Sequence, residues 1–177
     1  MKRLSSTLLA LAAVTIAAST ASTQSTKPVS LGISVGAAIP VSDLANDYST
    51  GYNGTVSLGF NSYGSPLGFR IDGMYNSMSP QSGVNLPDIK ISSANANLVY
   101  ALPGTGIRPY LIGGAGIYGL KSDFAGSSTT TKLGLNGGIG ASFPLSGFNT
   151  FVEARYHHVF SDNIATGFIP VTFGISF

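Results

Sequence analysis

The stretch FIPVTFGISF, Phe168 to Phe177, alternates strictly between bulky apolar residues and small or polar ones from Ile169 onward. Ile169, Val171, Phe173, Ile175 and Phe177 fall on one face, and Pro170, Thr172, Gly174 and Ser176 on the other. A period of two marks a β-strand, because successive side chains leave opposite sides of the backbone. In water, five bulky residues along one strand would invite aggregation. The pattern suits a strand whose greasy face meets lipid.

Composition extends that reading to the whole chain. Charged residues make up 9% of 177, against about 25% in ordinary soluble domains. Glycine is abundant at 23 residues, and Cys is absent, so neither a disulfide framework nor a thiolate metal site is available. Lys2 and Arg3 precede an apolar run, Leu8 to Ala18, and then small residues up to Ala21. This is the layout of a secretory signal peptide, and the run is too short to span a bilayer as a helix. Residues 1–21 are therefore expected to be a cleaved signal and 22–177 a single barrel domain. Nine basic residues less Lys2 and Arg3 leave seven, against seven acidic ones. A neutral mature chain has no electrostatic case for a nucleic-acid partner. Elsewhere the longest apolar candidate, Ile107 to Leu120, is broken by Arg108, Pro109 and several glycines. A membrane crossing by this chain therefore has to use a closed set of strands.

Seven further alternating stretches precede the first, separated by turn residues. Residues 29–39 set Val29, Leu31, Ile33, Val35, Ala37 and Ile39 against serines and glycines. Residues 52–60 set Tyr52, Val56, Leu58 and Phe60 against Asn53, Thr55 and Ser57. Residues 67–76 turn Leu67, Phe69, Ile71 and Tyr75 outward and Arg70, Asp72 and Asn76 inward. In residues 90–102, Ala94, Ala96, Leu98, Tyr100 and Leu102 oppose Ser93, Asn95 and Asn97. Ile89 and Ile91 are out of phase with that apolar set, which predicts a bulge or a loop start there. Residues 108–120 leave the facing open, since Tyr110, Ile112 and Tyr118 share one side and Leu111, Ala115 and Ile117 the other. The favoured reading puts the tyrosines outward. Leu133, Leu135, Ile139, Ala141 and Phe143 face outward in the sixth stretch, and Val152, Ala154, Tyr156, His158 and Phe160 in the seventh.

Two regularities point to an eight-stranded antiparallel up-and-down transmembrane β-barrel. The first, third, fifth and seventh connections read as longer and polar, the second, fourth and sixth as tight, as in outer-membrane barrels with long outside loops and short periplasmic turns. The even strands finish near an outward aromatic, so Phe60, Tyr100, Phe143 and Phe177 are expected to form a periplasmic aromatic girdle. Tyr52, Tyr75, Tyr118, Phe160 and Phe168 are expected in the opposite one. An even strand number places both mature termini in the periplasm.

The stretches IRPYLIGGAGIY (Ile107 to Tyr118), FVEARYHHVF (Phe151 to Phe160) and VTFGISF (Val171 to Phe177) resemble the small outer-membrane β-barrel family, OmpA-like or opacity-type. The resemblance covers the mature chain and implies outer-membrane lipid and lipopolysaccharide as surroundings. It also implies recognition by the barrel-assembly machinery at Val171, Phe173, Ile175 and Phe177. The fold alone hosts pores, adhesins, enzymes and inert anchors.

Arg70, Asp72, Glu153 and Arg155 are charges within strand interiors. A lipid-facing charge costs about 2–4 kcal/mol at the midplane, so all four must turn inward. Strands three and seven face each other across an eight-stranded ring. This predicts a lumen charge network in which Arg70 meets Glu153 and Asp72 meets Arg155 or its neighbours, with His157 joining near the outer mouth. Such a network is a structural plug, and the alternative is a narrow porin-like channel. If the network alone plugs the lumen, Arg70→Ala opens a silent barrel. His157 and His158 are adjacent and so point to opposite faces, which rules out a shared metal. A lipid A-modifying enzyme is the less favoured class: His158 is followed by Val159 and Phe160 before Ser161, the wrong spacing for a His-x-Ser pair. A lipocalin-like ligand barrel would coat its surface with Gly, Ser and Asn and almost no charge, which is poorly soluble. No cofactor and no catalytic role are expected, and the loop sequences specify no partner.

Overall fold

The computed structural model describes residues 28–61, 64–122, 129–161 and 166–177. The expected signal segment, 1–21, lies outside the described residues, as do parts of the fifth and seventh connections. Eight strands follow in order: β1 Val29–Ser42, β2 Gly51–Asn61, β3 Leu67–Met78, β4 Ile89–Ala101, β5 Arg108–Ser122, β6 Thr130–Pro144, β7 Asn149–Val159 and β8 Thr166–Ser176. One short helix, α1 Leu44–Asp47, sits between β1 and β2. Each strand pairs antiparallel with its chain neighbours, and β1 pairs with β8 to close the barrel. Closure is reciprocal to the last residue, Leu31 and Phe177 exchanging backbone bonds of 3.2 and 2.8 Å. No sheet edge is left to satisfy in an apolar solvent.

The period-two pattern sorts the residues as a barrel in lipid requires. Val29, Leu31, Ile33, Val35, Leu98, Leu133, Ile139 and Phe173 are exposed, while Ser34, Asn53, Thr55, Ser57, Asn95 and Thr172 are buried. This is the inverse of a soluble protein. Among the described residues no helix is long and apolar enough to cross a membrane, so crossing falls to the strands. They run from 11 to 15 residues, enough for the roughly 9–11 that span hydrocarbon.

The connections 43–50, 79–88, 123–129 and 160–165 share one end, here the loop end; 62–66, 102–107 and 145–148 share the terminal end with the start of β1 and the end of β8. The length alternation holds for the first six, but 160–165 is no longer than 102–107. The expected bulge in β4 does not exist. Met78 pairs with Ile89 and Asn76 with Ile91 in unbroken register. Ile89 and Ile91 are in phase with the inward set and are buried, because the loop-end mouth is filled with apolar side chains. The polar loop expected at 40–51 likewise contributes α1, whose Leu44 is buried with Tyr48 in the same cluster.

β5 reverses the favoured facing. Tyr110, Ile112 and Tyr118 are at most 8% exposed, while Leu111 and Ile117 are outside. A mid-strand phenol facing lipid has nothing to bond; inside, each hydroxyl finds a partner. Tyr118 and Phe168, both fully buried, therefore leave the expected loop-end girdle, where Tyr52, Tyr75 and Phe160 remain exposed. At the terminal end Phe60, Tyr100 and Phe177 are exposed on the outer face, and Phe143 is half-buried there.

Candidate functional site: an occluded lumen

β3 carries Arg70-Ile71-Asp72 and β7 carries Glu153-Ala154-Arg155. Both are odd strands and run the same way, from terminal end to loop end. The opposite order of signs therefore sets Arg70 against Glu153 at the lower level and Asp72 against Arg155 at the upper one. Arg70 Nη2 lies 2.8 Å from Glu153 Oε1, and Arg155 Nη1 lies 2.6 Å from Asp72 Oδ2. Arg155 Nε also reaches Glu153 Oε1 at 2.8 Å. Arg70 Nε comes within 3.0 Å of Asp72 Oδ1, close enough to pair but not aligned for a hydrogen bond. The four charges alternate in sign around a square of zero net charge. Arg70 keeps 14% side-chain exposure, and the other three are at most 4% exposed.

Neutral groups complete the square. Tyr110 Oη donates to Glu153 Oε2 at 2.7 Å, and Asn97 Nδ2 to Asp72 Oδ2 at 2.9 Å. Sequence reasoning missed both roles: Tyr110 because β5 is apolar on both sides, Asn97 because an amide on a polar face has no unique partner. Room for these side chains comes from glycines on the next strand. A Cβ at Gly138 would meet Arg155 Cγ, one at Gly140 the Tyr110 ring, and one at Gly134 the Tyr118 ring.

His157 is buried and inward, but it does not join the square. Its Nδ1 pairs with Tyr118 Oη at 2.8 Å, and its ring stacks on Phe168 at 4.9 Å. Asn136 lies beside the Tyr118 hydroxyl without aligned hydrogen-bond geometry. His158 faces outward against Tyr156 and Phe160. Among the described residues no three metal-ligating side chains converge.

The lumen is thus layered. At the terminal end a vestibule of about 430 Å³ is lined by Ser30, Ser57, Arg70, Arg108, Tyr110 and Phe151, among others. Of the square, Arg70 reaches its lining. Above come the Tyr118–His157 pair and the Asn53–Asn76 bond of 2.7 Å. The loop end is closed by Ala38, Leu44, Tyr48, Met74, Met78, Ile89, Ile91, Val159 and Phe168. Burial, reinforced by Asp47 and Asp88, raises the Tyr48 phenol above its ordinary pKa, so it stays a donor to Pro87 O at 3.3 Å.

A closed antiparallel barrel of eight strands, greasy outside and packed with paired polar groups inside, defines an integral β-barrel membrane protein. The chain matches the outer membrane protein beta-barrel domain family over residues 6–177 and belongs to it. Solved structures agree on the fold. Neisserial surface protein A is similar at a TM-score of 0.68 and 18% identity, covering 85% of this chain and 96% of its own. OprG from Pseudomonas aeruginosa follows at 0.54 and 16%, covering 85% and 97%. The outer membrane enzyme PagL stands at 0.53 and 16%, covering 83% and 97%. No curated protein sequence matches this chain. Neighbours that include an enzyme establish the architecture and leave the role to the residues.

Proposed function

We propose that this protein is a non-conducting, non-catalytic barrel that serves the outer membrane as a structural or surface-interaction element. The ion-paired square across the lumen is the observation that carries the reading. Four charges that neutralise one another within 3.0 Å leave a permeating ion neither a path nor a net field. The reading includes a signal cleaved after Ala21, both mature termini in the periplasm, and loops facing out beside lipopolysaccharide. It also includes assembly through Val171, Phe173, Ile175 and Phe177, three of which present bulky exposed faces to lipid. The reading includes no enzymatic role: outward His158 pairs with Tyr156 Oη at 3.4 Å and lies against aromatic rings.

The terminal-end vestibule favours one rival, a narrow channel entered from that side. Purified protein in planar bilayers separates the two. Silence across several hundred millivolts is expected, and steady stepwise conductance would overturn the proposal.

A further inference from the structure

The lumen has a second closure of different chemistry. α1 is a single turn, Leu44–Asp47, with no side-chain cap at its amino end. A helix this short does not persist by itself, and its last carbonyls would lack partners. One residue from the neighbouring connection supplies them. Gln81 Nε2 donates to Ala45 O at 2.7 Å and to Tyr48 O at 3.4 Å, and Gln81 N donates to Asp47 O at 2.8 Å. Ser49 N donates to Ser79 O at 2.9 Å, and Tyr48 pairs with Pro80 as an isolated bridge. Beneath this fastening, Leu44 and Tyr48 lie over Met78, Ile89, Ile91 and Phe168, each buried and none charged. Such a layer excludes water, and an ion would have to shed its hydration to enter it.

We propose that α1 and the 79–88 connection form a latched lid on the loop-end mouth, with Gln81 as the latch, and that this lid closes the barrel independently of the ion square. The inference rests on the non-conducting reading and changes one consequence of it: loss of the square alone leaves the barrel shut. The lumen is then a one-sided pocket, wet from the terminal end as far as the square and dry at the loop end. Because Gln81 is the common partner of Ala45, Asp47 and Tyr48, the lid opens as a unit and not residue by residue.

Two measurements test this. Hydrogen exchange on Gln81→Ala should speed the Tyr48 and Ser49 amides at least about fivefold, the equivalent of one net hydrogen bond, with strand amides unchanged. Unchanged exchange at those two amides would remove the latch. In planar bilayers, the charge-neutral Arg70→Ala/Glu153→Ala barrel should stay silent. Adding Leu44→Ser and Ile91→Ser should produce stepwise conductance, with folding of every variant checked by its heat-modifiable gel mobility. Conductance with the lid intact, or silence of the fourfold variant, would overturn the lid. Conductance of the unaltered protein would instead overturn the non-conducting reading, so the two failures are distinguishable.

Discussion

Replacing Arg155 by Met tests whether the square is held by charge balance. The substitution keeps the apolar stem that packs over Gly138 and removes two contacts, 2.6 Å to Asp72 and 2.8 Å to Glu153. Both carboxylates survive, each at most 3% exposed, and must share Arg70. The site goes from zero to −1 in a place water barely reaches. Removing one partner of a buried pair costs about 3–5 kcal/mol. The lower part of that range applies, because Asn97 and Tyr110 still donate to the two carboxylates. Adding Asp72→Asn restores neutrality, with Arg70–Glu153 left intact, so the double variant should lie within about 1 kcal/mol of the parent. A coupling of at least about 2 kcal/mol should therefore appear in the double-mutant cycle. The chain has no Trp, so unfolding in urea from lipid vesicles is best followed by far-UV circular dichroism and gel mobility. A double variant less stable than Arg155→Met alone would refute the charge-balance argument.

Four further substitutions have expected outcomes. Leu31 and Phe177 bond each other across β1 and β8, so even residues of β8 bond β7, and Pro170 faces the Arg155 carbonyl without an N–H. The β7–β8 ladder breaks there, between Ala154–Val171 and His157–Phe168. Pro170→Ala should supply the missing donor and stabilise the barrel by about 1 kcal/mol; a lower urea midpoint would sink this. Gly140→Val should cost more than about 2 kcal/mol, because its Cβ lands on the Tyr110 ring that holds Glu153. Gly54→Val, outward with open space at the same position, should be near neutral by the same urea titration. Phe177→Ala should lower the fraction assembled in the outer membrane several-fold while barely shifting the midpoint of protein that has folded, since Phe177 is half-exposed. Equal assembly of variant and parent would contradict its place in the assembly signal.

Much of the barrel was legible because lipid outside and side chains inside impose opposite demands on alternate residues, and alternation is visible in one dimension. β1, β2, β6 and β8 carry that demand most clearly away from the loop end, one face mainly Val, Leu, Ile or Phe and the other mainly Gly, Ser, Thr or Asn. Burying charge out of lipid forced Arg70, Asp72, Glu153 and Arg155 inward, and an eight-stave ring set β3 opposite β7. That Arg70 meets Glu153 at one level and Asp72 meets Arg155 at the other is likewise written in the order of signs on two strands that run the same way.

What only the tertiary structure decided concerns places where both faces are apolar or where partners come from afar. The facing of β5 turned on a carboxylate at Glu153 and an imidazole at His157, both about 40 residues away. Ile89 and Ile91 read as out of phase because an inward face was assumed to be polar along its full length. The loop-end mouth breaks that assumption by burying Leu44, Tyr48, Met78 and Phe168 as a small core of its own. Periodicity reports which side of the wall a residue occupies. Whether that side is wet, dry or charged at a given depth depends on every other stave at the same level, and the chain reaches that level only by closing the ring.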